Sequence, residues 1–429
     1  MAETVFPQGF LWGSATSSHQ VEGNNTNNDW WAWEHAGRVK EPSGLACDQY
    51  RRFREDFDLA KSLHHNAHRF SIEWSRIEPR EGEFDEVAIA HYREVIAALR
   101  ERGLEPLVTL HHYTNPLWLS NQGGWTNPKV VEAFARFTQR VVEALGDQVQ
   151  YWLTINEPMV YAVMHYLDGV GPPGERNNVR LFVRVVEHLL RAHALSSQVI
   201  HHVAKARGWD VRVSLANHAQ PFPPCRPWWP IDRVAAGFAE HVYNQRFLKA
   251  LVEGEWKFPG FPRVRIPEAR GSLDFIGMNY YGRVFLRSSL FGSPWWGSRC
   301  STRHHKNVTE RNFLEWDVYP SGIRQILRWS VPYRLPVLIT ENGICTTDDA
   351  QRTRFILNHL RWVGRAIQEG APVMGYLYWS LLDNFEWSYG YTPRFGLIEV
   401  DYSTQARRVR ESGRRFAEVC RTNRLPEQT

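Results

Sequence analysis

Two apolar runs in this chain stop at a carboxylate. Tyr151-Trp152-Leu153-Thr154-Ile155-Asn156 ends at Glu157-Pro158, and Pro336-Val337-Leu338-Ile339-Thr340 ends at Glu341, with the turn signal Asn342-Gly343 behind it. Alternation and β-branching make both runs buried strands, and Pro158 disfavours helical geometry at Glu157, so each glutamate is expected where a strand stops. Pro158 is also expected to keep the fourth strand from running on into a helix. Two carboxylates in a chain with nineteen tryptophans, and with no HExxH or comparable metal spacing nearby, suit cleavage of a glycosidic bond. In that chemistry one carboxyl protonates the leaving oxygen, and the other attacks the sugar or activates water.

Far apart in sequence, the two glutamates meet only if a closed scaffold brings their strand ends together. The chain supplies one, because strand and helix patterns alternate along it without a linker. The strands are Phe10 to Ser14, Ala67 to Ile72, Leu104 to Leu110, the run before Glu157, Val211 to Ala216, Leu273 to Met278, the run before Glu341, and Val373 to Tyr378. Helical periodicity lies between them at Tyr50 to Leu63, Val87 to Arg102, Val130 to Leu145, Leu181 to Lys205, Ile231 to Leu251, Gly322 to Trp329 and Arg352 to Glu369, with a last helix from Thr404 to Cys420. Eight such pairs predict an α/β chain forming a single (β/α)8 TIM barrel over residues 1–429, with its chemistry at the C-terminal ends of the strands. The residues there are Gln20, Arg69, His112, Glu157, Asn217, Tyr281, Glu341 and Trp379, and a bare scaffold has no need of so many polar and aromatic endings.

Composition narrows the partners. The formal charge is +5, but charges of both signs are mixed along the chain, which argues against nucleic acid. The run Arg407, Arg408, Arg410, Arg414, Arg415 reads as the solvated face of the last helix. No stretch is long and apolar enough to cross a bilayer, and Met1 to Phe10 has no signal-like apolar segment. Five cysteines, odd in number and without metal spacing, read as reduced thiols in a cytoplasmic protein. The histidine pairs 64–65, 111–112, 201–202 and 304–305 are scattered over different elements, so no metal and no cofactor are expected.

Several further stretches carry a resemblance to glycoside hydrolase family 1, the β-glucosidase family. They are Gln20-Val21-Glu22-Gly23, Arg69-Phe70-Ser71-Ile72-Glu73-Trp74-Ser75-Arg76, Asn279-Tyr280-Tyr281, and Trp379 through Trp387, in the family's order and beside the two carboxylate motifs. The resemblance implies retaining hydrolysis of non-phosphorylated β-glucosides, and of β-galactosides and β-fucosides, by double displacement through a covalent glycosyl-enzyme. Glu341 is then the nucleophile and Glu157 the acid and base, with the carboxyl groups roughly 5 to 5.5 Å apart. Arg69, Asn279 and Tyr281 support the nucleophile. Gln20, His112, Asn156, Glu386 and Trp387 hold the sugar over Trp379, with Asn156 on the 2-hydroxyl, and Trp316 faces the aglycone. Glu386 stands where family members acting on phosphorylated sugars carry small and cationic residues, so neutral glycosides or oligosaccharides are the expected partners.

Asp317 after Trp316, where Glu is usual in the family, changes little, but the chain also departs in the loop Asn24 to Trp31, in the short connection Arg38 to Ala46, and at Tyr113 and Asn115, where larger apolar residues are frequent. These departures predict an open aglycone mouth. A transglycosidase uses the same residues, and a sugar-binding barrel without catalysis is the alternative from another class. The oligomeric state is left open by the sequence.

Overall fold

Eight parallel strands close on themselves in chain order: β1 (Leu11–Ala15), β2 (Ala67–Ser71), β3 (Glu105–His111), β4 (Tyr151–Asn156), β5 (Arg212–His218), β6 (Ile276–Tyr280), β7 (Val337–Asn342) and β8 (Val373–Trp379), with β8 hydrogen-bonded back to β1. The computed structural model describes residues 3–288 and 297–427. A barrel filled inside and covered outside by helices buries both faces of each strand, which is why these strands read as continuous apolar runs.

Ala67, Leu107, Leu153, Phe275, Leu338 and Leu377 pack across the lumen as a separate apolar cluster, and a far larger one lies between the strands and the surrounding helices. Side chains two places apart share a face of a strand. Beyond the apolar layer the next inward positions of β2, β3 and β7 are therefore Arg69, Thr109 and Thr340. The arginine is 0% exposed, its Nε donates to Thr109 Oγ1 at 2.9 Å, and Nη1 reaches the Thr340 carbonyl at 3.4 Å. The barrel thus has an oily plug at one end and a polar cup at the other. Gly343 lets the ends of β7 and β8 meet, since a Cβ there would fall 1.8 Å from the Trp379 carbonyl oxygen.

Seven of the eight expected helices lie at the expected positions. Glu86–Glu101 is capped by Asp85, whose carboxylate accepts from the Val87 and Ala88 amides, and Val179–Arg207 ends at Gly208, which has a φ of 73°. Outside the barrel, Thr4–Val5 pairs antiparallel with Arg424–Leu425. The Asn423 side chain accepts from Trp12 Nε1 at 2.9 Å and donates to the Phe6 carbonyl at 2.8 Å.

Four expectations need correction. Pro158 does not hold off a helix. The helix Pro158–Tyr166 begins at once, with proline in its first turn, where a missing N–H costs nothing. The chain from 398 to 409 is an antiparallel hairpin, Ile398–Asp401 with Ala406–Val409, and the last helix is only Glu411–Thr422. Asp401 builds the turn, its Oδ1 accepting from the Ser403 amide at 2.9 Å and the Ser403 hydroxyl at 2.6 Å. The arginine run is consequently not one solvated helical face. Arg407 is buried against Asp56 at 2.9 Å, and Arg410 reaches Asp383 at 2.7 Å. Finally, Cys225 and Cys300 form a disulfide across 75 residues, while Cys47, Cys345 and Cys420 are free and buried. The cytoplasmic expectation rested on reduced thiols and loses that ground. No helix of the described residues is long and apolar enough to cross a membrane.

Candidate active site

The polar cup of the barrel is organised by Arg69. Its Nη1 donates to Glu341 Oε1 at 2.5 Å, and its Nη2 donates to Asn156 Oδ1 at 2.8 Å. Glu341, near the C-terminal end of β7, also accepts from the Tyr281 hydroxyl at 2.6 Å through Oε2. Glu157 follows the last residue of β4 with a φ of 44°, a left-handed conformation rare for a residue with a Cβ. Its Oε1 accepts from Asn279 Nδ2 at 2.9 Å, and its Oε2 accepts from the Tyr113 hydroxyl. Asn279 is itself fixed by the Thr340 hydroxyl, which donates to its Oδ1 at 2.6 Å. The sequence reading grouped Asn279 with Glu341. Its amide nitrogen instead reaches Glu157 and, at 3.2 Å, Asn156.

These contacts give the two acids different electrical surroundings. Glu341 touches a guanidinium, whereas Glu157 receives only neutral donors. Burial raises both carboxyls, Glu341 to about 7 against the pull of Arg69 and with a further push from Glu157. They titrate as a pair. A single negative charge on that pair is held best beside the cation, on Glu341, which leaves the proton on Glu157.

Most of the remaining candidates are held by contacts to this network or to one another. Asn156 Nδ2 donates to His112 Nε2 at 3.1 Å. Burial, reinforced by Arg69, holds His112 well below its usual range, so the ring is neutral. Its Nδ1 then carries the hydrogen, and that atom is buried without a partner. The imidazole lies nearly parallel to Trp379, centroids 5.9 Å apart at 22°, and to Trp387, at 6.2 Å and 14°. Gln20 accepts from the Ser17 hydroxyl at 2.6 Å and donates to the Phe385 carbonyl at 2.8 Å and to Glu386 Oε2 at 3.2 Å. Burial, together with the charges of Glu341 and Glu157, pushes Glu386 up to about 8. Trp316 packs edge-on to Tyr281 at 6.2 Å and beside Phe395. Asn217, at the end of β5, is buried with an unpartnered Oδ1.

The twelve residues to which the resemblance gives a role, and Asn217 with them, therefore lie at one end of the barrel. The role of Tyr113 in this network was missed. The signal was present in its position, one residue beyond His112 at the end of β3, but the sequence assigned it only to the aglycone mouth.

The profile described as Glycosyl hydrolase family 1 matches residues 2–425. A 1,4-beta-D-glucan glucohydrolase of Thermotoga neapolitana is 34% identical over 458 residues, covering 98% of this chain and 99% of the relative. A solved beta-glycosidase from Pyrococcus horikoshii superposes with a TM-score of 0.92 at 39% identity, over 99% of this chain and 97% of that one. A beta-glucosidase from Thermotoga maritima in complex with deoxynojirimycin gives 0.90 at 33% identity, over 99% of this chain and 100% of that one. A profile match over nearly the whole length, on a closed eight-stranded barrel, places the chain in glycosyl hydrolase family 1, among the retaining β-glycosidases.

Proposed function

We propose that the chain hydrolyses neutral β-glycosides, β-glucosides foremost with β-galactosides and β-fucosides also accepted, using Glu341 as nucleophile and Glu157 as acid and base. The observation that carries this reading is the unequal setting of the two buried carboxyls, a guanidinium on Glu341 and neutral donors on Glu157.

In the first step a Glu341 oxygen bonds to the anomeric carbon as the bond to the leaving oxygen breaks. The departing oxygen keeps that electron pair and takes the proton of Glu157. The ester cancels the charge on Glu341, which lowers the proton affinity of Glu157 and leaves it a carboxylate ready to act as a base. In the second step water adds to the anomeric carbon and loses a proton to Glu157, while the ester electron pair returns to Glu341. Two inversions at one carbon give net retention.

The hydrogen on His112 Nδ1 and the second hydrogen of Asn156 Nδ2 are the donors available to sugar hydroxyls, and Asn156 serves the 2-hydroxyl. Gln20 and Glu386 take hydroxyls on the far side of the ring, Trp379 and Trp387 supply flat faces, and Trp316 meets the aglycone. Glu386 offers a phosphate no positive charge in a buried setting and so disfavours a phosphorylated sugar.

The test is hydrolysis of a panel of aryl β-glycosides by wild type, Glu341→Ala and Glu157→Ala. Glu341→Ala is expected to be nearly inactive and, with azide, to form the inverted α-glycosyl azide. Glu157→Ala is expected to keep a fast first step only where the leaving group needs no proton. Wild-type rates in Glu341→Ala would remove the assignment.

A further inference from the structure

The hydrogen bond from Tyr113 to Glu157 joins two residues that both sit at positive φ, 74° and 44°. At Tyr113 the cause is a tight turn, in which the Thr114 amide donates to the His112 carbonyl two residues back at 3.0 Å. For a bulky aromatic residue this is a strained conformation, and such strain persists only where the surroundings enforce it. Here they do. The ring is 4% exposed, 5.1 Å from Trp387 and 5.3 Å from His112, and its hydroxyl ends on Glu157 Oε2. Thr114, Asn115 and Asp29 hold the turn from behind. Thr114 Oγ1 donates to Glu73, and the Asn115 backbone and side-chain amides donate to Asp29 at 2.9 and 2.7 Å.

We propose that Tyr113 is a positioning residue for the second half-reaction, its hydroxyl holding the deprotonated Glu157 carboxylate oriented as the base that receives the proton of the incoming water. This rests on the reading of Glu157 as acid and base. Asn279 grips Oε1 and Tyr113 grips Oε2, so the carboxylate is fixed through both oxygens, and each oxygen keeps a lone pair for water. Burial and the neighbouring Glu157 keep the phenol far above its usual range, so it remains a donor throughout the pH span of the enzyme. When Glu157 carries the proton, the hydroxyl still donates, more weakly, to a lone pair of Oε2, so the proton stays free for the leaving oxygen and no group moves. The other charged or titratable groups facing Glu157 are Arg69 from β2, Glu341 from β7, Tyr281 after β6, Tyr243 in the helical segment after β5 and Glu386 after β8. A change confined to Tyr113 leaves all of them in place.

Tyr113→Phe keeps the ring and removes the donor. The upper limb of the kcat/KM profile against pH is expected to rise by roughly one unit, because a hydrogen bond to the charged form has been lost. With 2,4-dinitrophenyl β-glucoside, whose leaving group needs no acid, kcat and KM should fall together by about tenfold as the covalent intermediate accumulates. With an alkyl β-glucoside the plateau kcat/KM should stay within about threefold, since the acid form is not penalised. Replacing Tyr113 by 3,5-difluorotyrosine, a stronger donor of nearly the same shape, should move the upper limb down. An unmoved limb in both variants, or a rise in KM alone, would overturn the proposal. Glu157→Gln is the control. If it retains the wild-type upper limb, the acid and base assignment itself is wrong. If it loses the limb while Tyr113→Phe keeps it, only the role of Tyr113 fails.

Discussion

Arg69 and Glu341 meet at 2.5 Å inside a barrel where neither is exposed to solvent beyond a few per cent. The same guanidinium holds Asn156, the residue before Glu157, so one buried cation sets the charge of the nucleophile and the position of the strand end that carries the acid.

Replacing Arg69 with methionine keeps much of the volume and deletes the charge. Glu341 then has burial and the nearby Glu157 raising it and only Tyr281 opposing them. Its proton affinity rises, and since the nucleophile works ionised, the acidic limb of kcat/KM should shift to higher pH. The plateau should drop by a factor on the order of a thousand, equivalent to about 4 kcal/mol of transition-state stabilisation. Circular dichroism distinguishes this from unfolding.

Glu386 illustrates stability given up for function. Its carboxyl sits at about 8 in the folded protein, above its unfolded value, so the folded state binds the extra proton between roughly pH 4.5 and 8. Stability from this group is complete at the acid end and is lost as pH rises through that window. Glu386→Gln removes the dependence. Its stability relative to wild type should climb from pH 5 to pH 8, by on the order of 3 kcal/mol, while KM for a β-glucoside rises.

Arg407 and Asp56 form a buried pair 2.9 Å apart, and Arg407 also donates to the Cys47 carbonyl. Arg407→Met strands a carboxylate that burial already raises. A loss of about 3 to 5 kcal/mol is expected in urea unfolding. The double variant Arg407→Met with Asp56→Leu should recover a large part of it, because both desolvation penalties are then gone.

Much of this was written in the sequence, and the reasons differ by element. A barrel strand is buried on both faces, so β4 and β7 appear as apolar runs that stop abruptly, and Glu157 and Glu341 stand out at the stops. The C-terminal hairpin was hidden because Arg407 to Arg415 has spacing that a helix also satisfies, and only the Asp401 side chain closing its own turn decides for a hairpin. Asn279 was placed beside the wrong carboxyl because adjacent strand ends in a barrel offer it two neighbours, and Thr340 makes the choice. The direction of the Tyr113 hydroxyl depends on one backbone angle, which no pattern of residue types records.

The Cys225–Cys300 bond joins the loop after β5 to the long segment after β6. Thiol titration of the unfolded protein should give three free thiols without reductant and five with it. Cys225→Ser with Cys300→Ser should cost about 2 to 4 kcal/mol of stability if the unfolded chain is a flexible coil. A count of five before reduction would show that the bond is absent in solution.

Residues 4 and 425 are paired partners in a two-stranded ribbon, so the two ends of the described chain lie side by side. A short linker there would join them without crossing the catalytic end, and new ends opened at an exposed turn such as Gly208 would leave every barrel strand intact. The order in which the ribosome delivers the eight strands is therefore separable from the ring they make. A circularly permuted chain should assemble the same cup around Arg69.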